Sequence, residues 1–325
     1  MKRLLNISLV LIAALSSCKN AEWEFPDSGM QSVYFAYQAP IRTLTLGEDI
    51  FDTSLDNQHK LQIMATTGGV YLNKEDITIG IAVDNALTQG LKFAPLPLTG
   101  NVIPMPGNYY TLASDKIVIP KGQLIGGVEV QLTDAFFADP LSVNTTYVIP
   151  LKMTGVTNAD SMLANKKHIL YAVKYINPWH GLYLRRGKDV AVGKAGNTSL
   201  NETNIRHMPY VENDEVKQLS TLSLNKTLFP VTFKGAGGTN INRTLLLTFD
   251  DSGNCTVSAS DATFVASGNG KFVKRGEKNS WGNQDRDALY LNYQVELSDR
   301  NITTADTLVL RNRGVKAEIF TPIAN

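Results

Sequence analysis

The sequence predicts an all-β protein of two modules, and three observations predict it. Apolar and polar residues alternate with period two along most of the chain. Ile77, Ile79, Ile81 and Val83 face away from Thr78, Gly80 and Ala82, and Val128, Val130 and Leu132 from Glu129, Gln131 and Thr133. Leu289, Leu291, Tyr293, Val295 and Leu297 stand opposite Tyr290, Asn292, Gln294 and Glu296 in the same way. Such runs are half-buried strands of antiparallel sheets. Turn-forming clusters separate them at Gly68-Gly69, Pro120-Lys121-Gly122, Asp251-Ser252-Gly253-Asn254 and Gly268-Asn269-Gly270. Beyond the N-terminal segment no stretch keeps a helical period for three turns, so the strands belong to sandwiches or barrels.

The chain opens on Lys2 and Arg3, followed by a short apolar run from Leu4 to Leu15 and then Leu15-Ser16-Ser17-Cys18. A positive start, an apolar stretch too short to span a bilayer and small residues before a cysteine predict a secretory signal over residues 1–17. The cysteine after small residues resembles the bacterial lipobox, which makes Cys18 the lipidated first residue of the mature protein and its membrane anchor. Residues 18–27 read as a tether. Lys19-Asn20-Ala21-Glu22-Trp23-Glu24 places two carboxylates just beyond the lipid. That is similar to the acidic stretch that sends Bacteroidetes lipoproteins to the outside of the outer membrane, so the expected location is the outer membrane, facing the exterior.

Residues 28–176 hold about seven candidate strands, from Val33-Tyr34-Phe35 to the run Ile169–Ile176. That number suits an immunoglobulin-like β-sandwich. Asn177-Pro178 ends the run, because proline cannot donate to a ladder. Pro178 and Trp179 are expected at the junction, with Trp179 as a wedge between the modules. Residues 177–325 hold about eight strands, from Gly181-Leu182-Tyr183-Leu184 to Ala317-Glu318-Ile319-Phe320. Their short hairpins suggest an antiparallel β-barrel of calycin type. The polar segment from Asn197 to Lys217 reads as a long loop over one mouth.

Charge excludes one class of partner. Removing Lys2 and Arg3 with the signal leaves 29 basic residues against 30 acidic, a net of −1, which gives nucleic acid no electrostatic footprint. Of the two cysteines, lipidation consumes Cys18, so Cys255 has no partner and reads as a buried, inert thiol.

Catalytic patterns are missing from the sequence. His59, His168, His180 and His207 lack metal-ligand spacing, there is no His-Glu-x-x-His, and no nucleophile elbow or phosphate loop occurs. Asp250–Asn254 reads as a hairpin turn rather than a calcium loop. Asp285 and Asp287 could share a strand face, but beside Arg286 they read as solvated charges rather than a hydrolytic pair. No cofactor and no metal are expected.

Aromatic surface remains. Sugar sites commonly set an indole or phenol under apolar C–H faces, with amides, carboxylates or arginines at the hydroxyls. Trp281 follows the charged, glycine-broken run Lys274–Ser280 and precedes Gly282, with Asn283, Gln284, Asp285 and Arg286 directly after it. Trp281, Asn283, Asp285, Arg286 and Tyr290 are therefore the candidate glycan-binding residues, the alternative for Trp281 being a plug at one barrel end. The adjacent pairs Tyr109-Tyr110 and Phe136-Phe137 read as strand residues, each with one ring pointing outward.

Ile117-Val118-Ile119-Pro120-Lys121-Gly122, Tyr147-Val148-Ile149-Pro150-Leu151-Lys152 and the lipobox together resemble the N-terminal module of Bacteroidetes surface lipoproteins. Asn177-Pro178-Trp179-His180-Gly181 and the run Gly282–Tyr290 resemble the calycin-like C-terminal partner of that module. The resemblance implies a place in glycan-uptake loci beside TonB-dependent transporters. The expected function is a non-enzymatic outer-membrane lipoprotein that binds oligo- or polysaccharide or supports such a transporter and its companion lipoproteins. Two alternatives stand beside it: a structural or adhesion-type protein-interaction module, and a small glycan hydrolase at the barrel mouth.

Overall fold

The computed structural model describes residues 29–235 and 238–324. The signal 1–17, Cys18 and the tether 18–27 lie outside the described residues. Among those described, two one-turn α-helices, α1 (Ser54–Asn57) and α2 (Asp134–Ala138), and a few 3-10 turns interrupt an all-β chain. No helix among them is long and apolar enough to cross a membrane.

The first half carries β1 (Ser32–Tyr34), β2 (Pro40–Thr45), β3 (Lys60–Gly68), β4 (Ile77–Val83), β5 (Leu91–Ala94) and β6 (Ile103–Pro104). It continues with β7 (Tyr110–Leu112), β8 (Lys116–Ile119), β9 (Ile125–Leu132), β10 (Tyr147–Thr157), β11 (Ser161–Met162) and β12 (His168–Ile176). One sheet has the order β11-β1-β3-β9-β7, and the facing sheet contains β2-β12-β10-β4-β8 with β6 beside β10. The chain crosses between sheets from β1 to β2, and β2 then runs parallel to β12, as in an immunoglobulin-like sandwich. The predicted alternation drives this arrangement. Leu61 and Ile63, Ile77 and Ile79, Ile117 and Ile119, Val128 and Val130, and Ile149 and Leu151 all point into one buried core. Each such side chain contributes about 1.5–3 kcal/mol by leaving water.

The aromatic pairs depart from expectation. Phe136 and Phe137 lie in α2, not in a strand, and both are buried, with rings edge-on at 5.2 Å and each packed on Tyr175. A helical turn puts neighbours on different sides, and here both sides face core. Tyr110 is buried in β7, while the Tyr109 hydroxyl donates to Asp139 at 3.0 Å.

The second half is a closed barrel of eight strands. These are β13 (Gly181–Gly193), β15 (Glu215–Ser223), β16 (Lys226–Lys234), β17 (Asn240–Phe249), β18 (Asn254–Ala259), β19 (Val265–Ser280), β20 (Gln284–Glu296) and β21 (Arg300–Asn312), with β14 (Glu202–Arg206) added between the first two in sequence. Pairing of β13 with β21, from Leu182↔Asn312 to Gly193↔Arg300, closes it. The expected loop 197–217 therefore contains a strand: β14 bonds to the second half of β13 and β15 to the first half. Alternation again sorts the sides, so that Phe229, Val231, Phe233, Leu245, Leu247, Leu289, Leu291 and Tyr293 fill the interior. Cys255 joins them, its thiol pushed up to about 12 by burial and then by Asp250, which leaves it unreactive.

The chain end corrects one expected boundary. The segment 317–320, read as the last barrel strand, leaves the barrel and returns to the sandwich as β22 (Glu318–Ile319) and β23 (Thr321–Ala324). β22 pairs with β2 and β23 with β5, so the sheet order begins β22-β2-β12. Phe320 sits between them against Phe93, ring centroids 4.7 Å apart, in a small second core with Ile41, Val148 and Leu170. Strands of two and four residues are too short to show a period, so nothing in the sequence separates this strap from the barrel.

Candidate functional site

The two modules meet at residues 177–180, and the sequence-predicted junction residues divide there. Pro178 packs on the sandwich: Gly47 has φ +89°, and a Cβ built on it would lie 3.0 Å from the Cβ of Pro178, so only glycine fits. Trp179 instead belongs to the barrel end. Its indole stacks on Phe249 with centroids 4.1 Å apart and planes 7° from parallel, and its carbonyl accepts from the Tyr183 hydroxyl at 2.9 Å. The wedge expected at Trp179 is thus a lid on the barrel core, because its ring finds apolar partners inside the barrel.

Arg313, just past β21, holds the junction. It is buried and reaches four backbone carbonyls: Asn177 at 2.6 Å, His180 at 2.7 Å, Glu48 at 2.9 Å and Leu46 at 3.0 Å. A guanidinium with five fixed N–H groups is the side chain able to satisfy so many carbonyls at once. Leu46 and Glu48 open the loop after β2, so Arg313 fixes that loop against the barrel.

Between this loop and the barrel lies a cleft of about 510 Å³. The sandwich contributes Glu48, Asp49, Ile50 and Phe51, and the barrel contributes Arg275, Asp285, Arg286, Asp287 and the segment 310–315. Four carboxylates and four arginines line it, so the cleft has no net formal charge; Glu48 and Asp49 stand on the sandwich wall, and all four arginines with Asp285 and Asp287 on the barrel wall. Ile50 and Phe51 are exposed at its edge.

The barrel side of the cleft is a bulged hairpin. The β19–β20 register shifts between Val273 and Glu277 and again before Ser280, and Arg275, Asn279, Gly282 and Asn283 all have positive φ. Bulges of this kind re-aim side chains. Asp285 and Asp287 hold the bulged backbone: Asp287 accepts from the Arg275 amide at 2.7 Å and Asp285 from the Asn279 amide at 3.1 Å. Lys278 also donates to Asp285 at 2.9 Å. That bond, then the Asn279 amide, keeps the Asp285 carboxyl below the ordinary range, and Lys274 does the same for Glu48.

Arg286 is the best-prepared group. Its guanidinium lies over the Trp281 ring, 3.5 Å from the centroid, and its Nε donates to the Trp281 carbonyl at 3.1 Å. The indole is in turn held by its Nε1, which donates to Leu310 O at 3.2 Å. Ring and backbone thus fix the guanidinium while both Nη atoms keep their hydrogens for another acceptor. Arg311 also lines the cleft and is exposed, with no ion pair or hydrogen bond among the described residues.

Of the sequence-predicted residues, Asp285 and Arg286 line the cleft and Trp281 stands behind Arg286. The ring face expected to stack on sugar is taken by the guanidinium. Trp281 is also no barrel plug, since it is half-buried and outside the barrel core. Asn283 is exposed at the hairpin tip, and Tyr290 is turned away, its hydroxyl donating to Glu277 at 2.7 Å and pushed up to about 12 by burial and then by that carboxylate. Sequence reasoning missed Glu48–Phe51, Arg275, Arg311 and Arg313. Among the described residues no group of histidine, cysteine and acidic side chains could hold a metal ion.

Comparison with known proteins gives matches over both halves. A family model described as "-like, N-terminal domain" matches residues 26–160, and the domain of unknown function DUF5627 matches residues 178–314. A Bacteroides ovatus protein of unknown function, solved in a structural genomics effort, shares 44% sequence identity with a TM-score of 0.85 over 91% of this chain and 99% of its own. A second Bacteroides ovatus protein of unknown function has 14% identity and a TM-score of 0.42 over 90% of this chain and 99% of its own. An auxiliary nutrient binding protein from Bacteroides thetaiotaomicron has 11% identity and a TM-score of 0.40 over 83% and 90%. No curated protein matches the chain.

Proposed function

The chain belongs to the same family as the Bacteroides ovatus protein with which it shares both modules, and from that premise we propose that it is a non-enzymatic, glycan-binding lipoprotein. Its lipid on Cys18 anchors it to the outer membrane, facing the exterior, and it hands oligosaccharide to a TonB-dependent transporter. The observation that carries the binding role is Arg286, seated on Trp281 with its Nη donors unspent at the wall of the interdomain cleft.

The chemistry of the cleft suits a neutral polyhydroxyl ligand. Guanidiniums donate to sugar oxygens, carboxylates accept from sugar hydroxyls, and exposed Ile50 and Phe51 meet apolar C–H faces. Balanced charge removes any general preference for an anion. Binding without hydrolysis is supported by the acids. A glycosidase needs one carboxyl raised to serve as general acid, whereas Glu48 and Asp285 are held low by Lys274 and Lys278.

Screening the purified protein from residue 19 onward on a broad glycan array, beside Arg286→Ala, tests this reading. Retention of neutral glycans by the wild type and its loss in the variant is the expected result. An empty array, or equal retention by both, overturns it.

A further inference from the structure

The barrel wall is incomplete on the side away from the hinge. β14 bonds to β13 from Gly187 to Ala191, and β15 takes over from Gly181 to Arg185. β16 pairs with β15 only over Lys226, Thr227 and Leu228, so its stretch from Phe229 to Lys234 faces β14 without a ladder among the described residues. A cavity of about 540 Å³ opens in this gap, with Arg185, Asn204, Arg206, Asn213, Glu215 and Lys234 among its lining.

Charged groups form the floor, inside a barrel whose other buried strand residues are apolar apart from Thr227 and Arg300. Arg185 is fully buried, and its Nε donates to Asp306 at 3.0 Å and its Nη2 to the Tyr293 hydroxyl at 3.1 Å. Arg206 donates to Asp306 at 2.6 Å and to Asp189, which also accepts from Thr304 at 2.8 Å. Gly187 makes the room: a Cβ there would lie 2.4 Å from Asp306 Oδ1. Apolar side chains fill most of the rest of the interior without the several kcal/mol that each buried ion costs in desolvation. The ions sit where the wall is open.

What the network leaves unspent is donors. Asp306 accepts from Arg185, Arg206 and Tyr293, Asp214 from Arg186 and the Met208 amide, and Glu215 is held by Lys217 at 2.7 Å. Arg206 Nε and Arg186 Nη2 are buried with no partner among the described residues. Arg185 Nη1 has only Glu215, at 3.4 Å, and among the described residues the side-chain amides of Asn204 and Asn213 have no hydrogen-bond partner. Arg185, Arg186, Arg206, Lys217 and Lys234 outnumber Asp189, Asp214, Glu215 and Asp306 by one.

We propose that this gap is a second binding site, separate from the interdomain cleft, that takes a sugar bearing an oxyanion. The carboxylate of a uronic acid or the sulfate of a sulfated sugar accepts from the arginine donors, and the sugar hydroxyls meet Asn204 and Asn213.

Calorimetric titration of the soluble protein at low salt with galacturonate, with N-acetylglucosamine 6-sulfate and with neutral galactose tests the proposal. Saturable binding of either oxyanion sugar, weakened by added salt and about tenfold or more tighter than any binding of galactose, is expected, and the arm that binds identifies the anion. Asn204→Asp adds a negative charge at a side chain with no structural partner and should cut that affinity about tenfold or more, its melting curve reporting that it folds. Arg286→Ala, in the other site, should leave it unchanged, so failure here is distinguishable from failure of the cleft. Binding of neither anion, equal binding of galactose, or full affinity in Asn204→Asp overturns the proposal.

Discussion

Arg313 spends its guanidinium on four carbonyls, so its removal strands buried acceptors on both modules. Arg313→Ala should cost about 3 kcal/mol or more in denaturant unfolding, and Arg313→Lys nearly as much, because an ammonium cannot span the four. His180, beside it, accepts from the Thr221 amide at 3.1 Å and is held neutral, lowered from 6.5 to about 4 by burial first and then by Arg313 and Lys174. The sign follows from linkage: as pH falls, the unfolded chain takes up this proton before the folded one. The contribution is therefore complete above pH 6.5 and lost progressively toward pH 4. It amounts to roughly 3 kcal/mol at most, at about 1.4 kcal/mol per unit. Unfolding midpoints measured from pH 7 to pH 4 should fall less steeply in His180→Asn than in the wild type. At this scale the sequence revealed composition but not partnership. Asp285 and Arg286 were legible as polar company for an aromatic, yet that the indole would seat the arginine depends on a bulged hairpin no local pattern announces. Arg185 and Asp306 did carry a readable signal. Arg185 shares parity with Tyr183, and Asp306 with Ile302 and Leu308, which places both charges on the inward face.

Long alternating strands were legible because each register slip would turn a whole apolar face to water. β4, β9 and β20 follow their predicted parity through the core, whereas β10 and β12, central in their sheet, bury residues of both parities. Short elements were not. β5, β6, β11, β22 and β23 have two to four residues each, too few to show a period, and are placed by partners distant in sequence. The terminal strap illustrates what such elements do. Phe320 is 3% exposed, against Phe93 and Ile41, and Glu318 pairs with Lys174 at 2.7 Å. Phe320→Ala should cost about 3–5 kcal/mol, measured by urea unfolding, with most of the loss from the apolar contact rather than the half-exposed ion pair. Deleting residues 315–325 should lower the melting temperature of the sandwich and speed proteolysis near residues 177–180, while the barrel stays folded. Equal stability with and without the strap would show that β22 and β23 are passive.

Across the whole molecule, the hinge, Arg313, the Lys274–Glu48 ion pair and the strap all tie sandwich and barrel together, and the cleft lies between the Glu48–Phe51 loop and the β19–β20 hairpin. The sequence divided the chain at Asn177-Pro178 because a proline ended a strand. It could not show that residues 318–324 return, since their pairing partners lie more than 200 positions earlier. Two units tied in this way present Ile50 and Phe51 opposite Arg286 in a fixed relation, the preorganisation that polyhydroxyl recognition needs. The most direct test is a calorimetric titration of the soluble protein with a neutral glycan retained on the array, repeated with Arg286→Ala, Phe51→Ala and Asn204→Asp. Residues on both walls of the cleft should each weaken binding about tenfold or more, worth roughly 1.4 kcal/mol apiece, while Asn204→Asp binds as the wild type does. Full affinity in Arg286→Ala and Phe51→Ala would place the glycan elsewhere and contradict the cleft as its site.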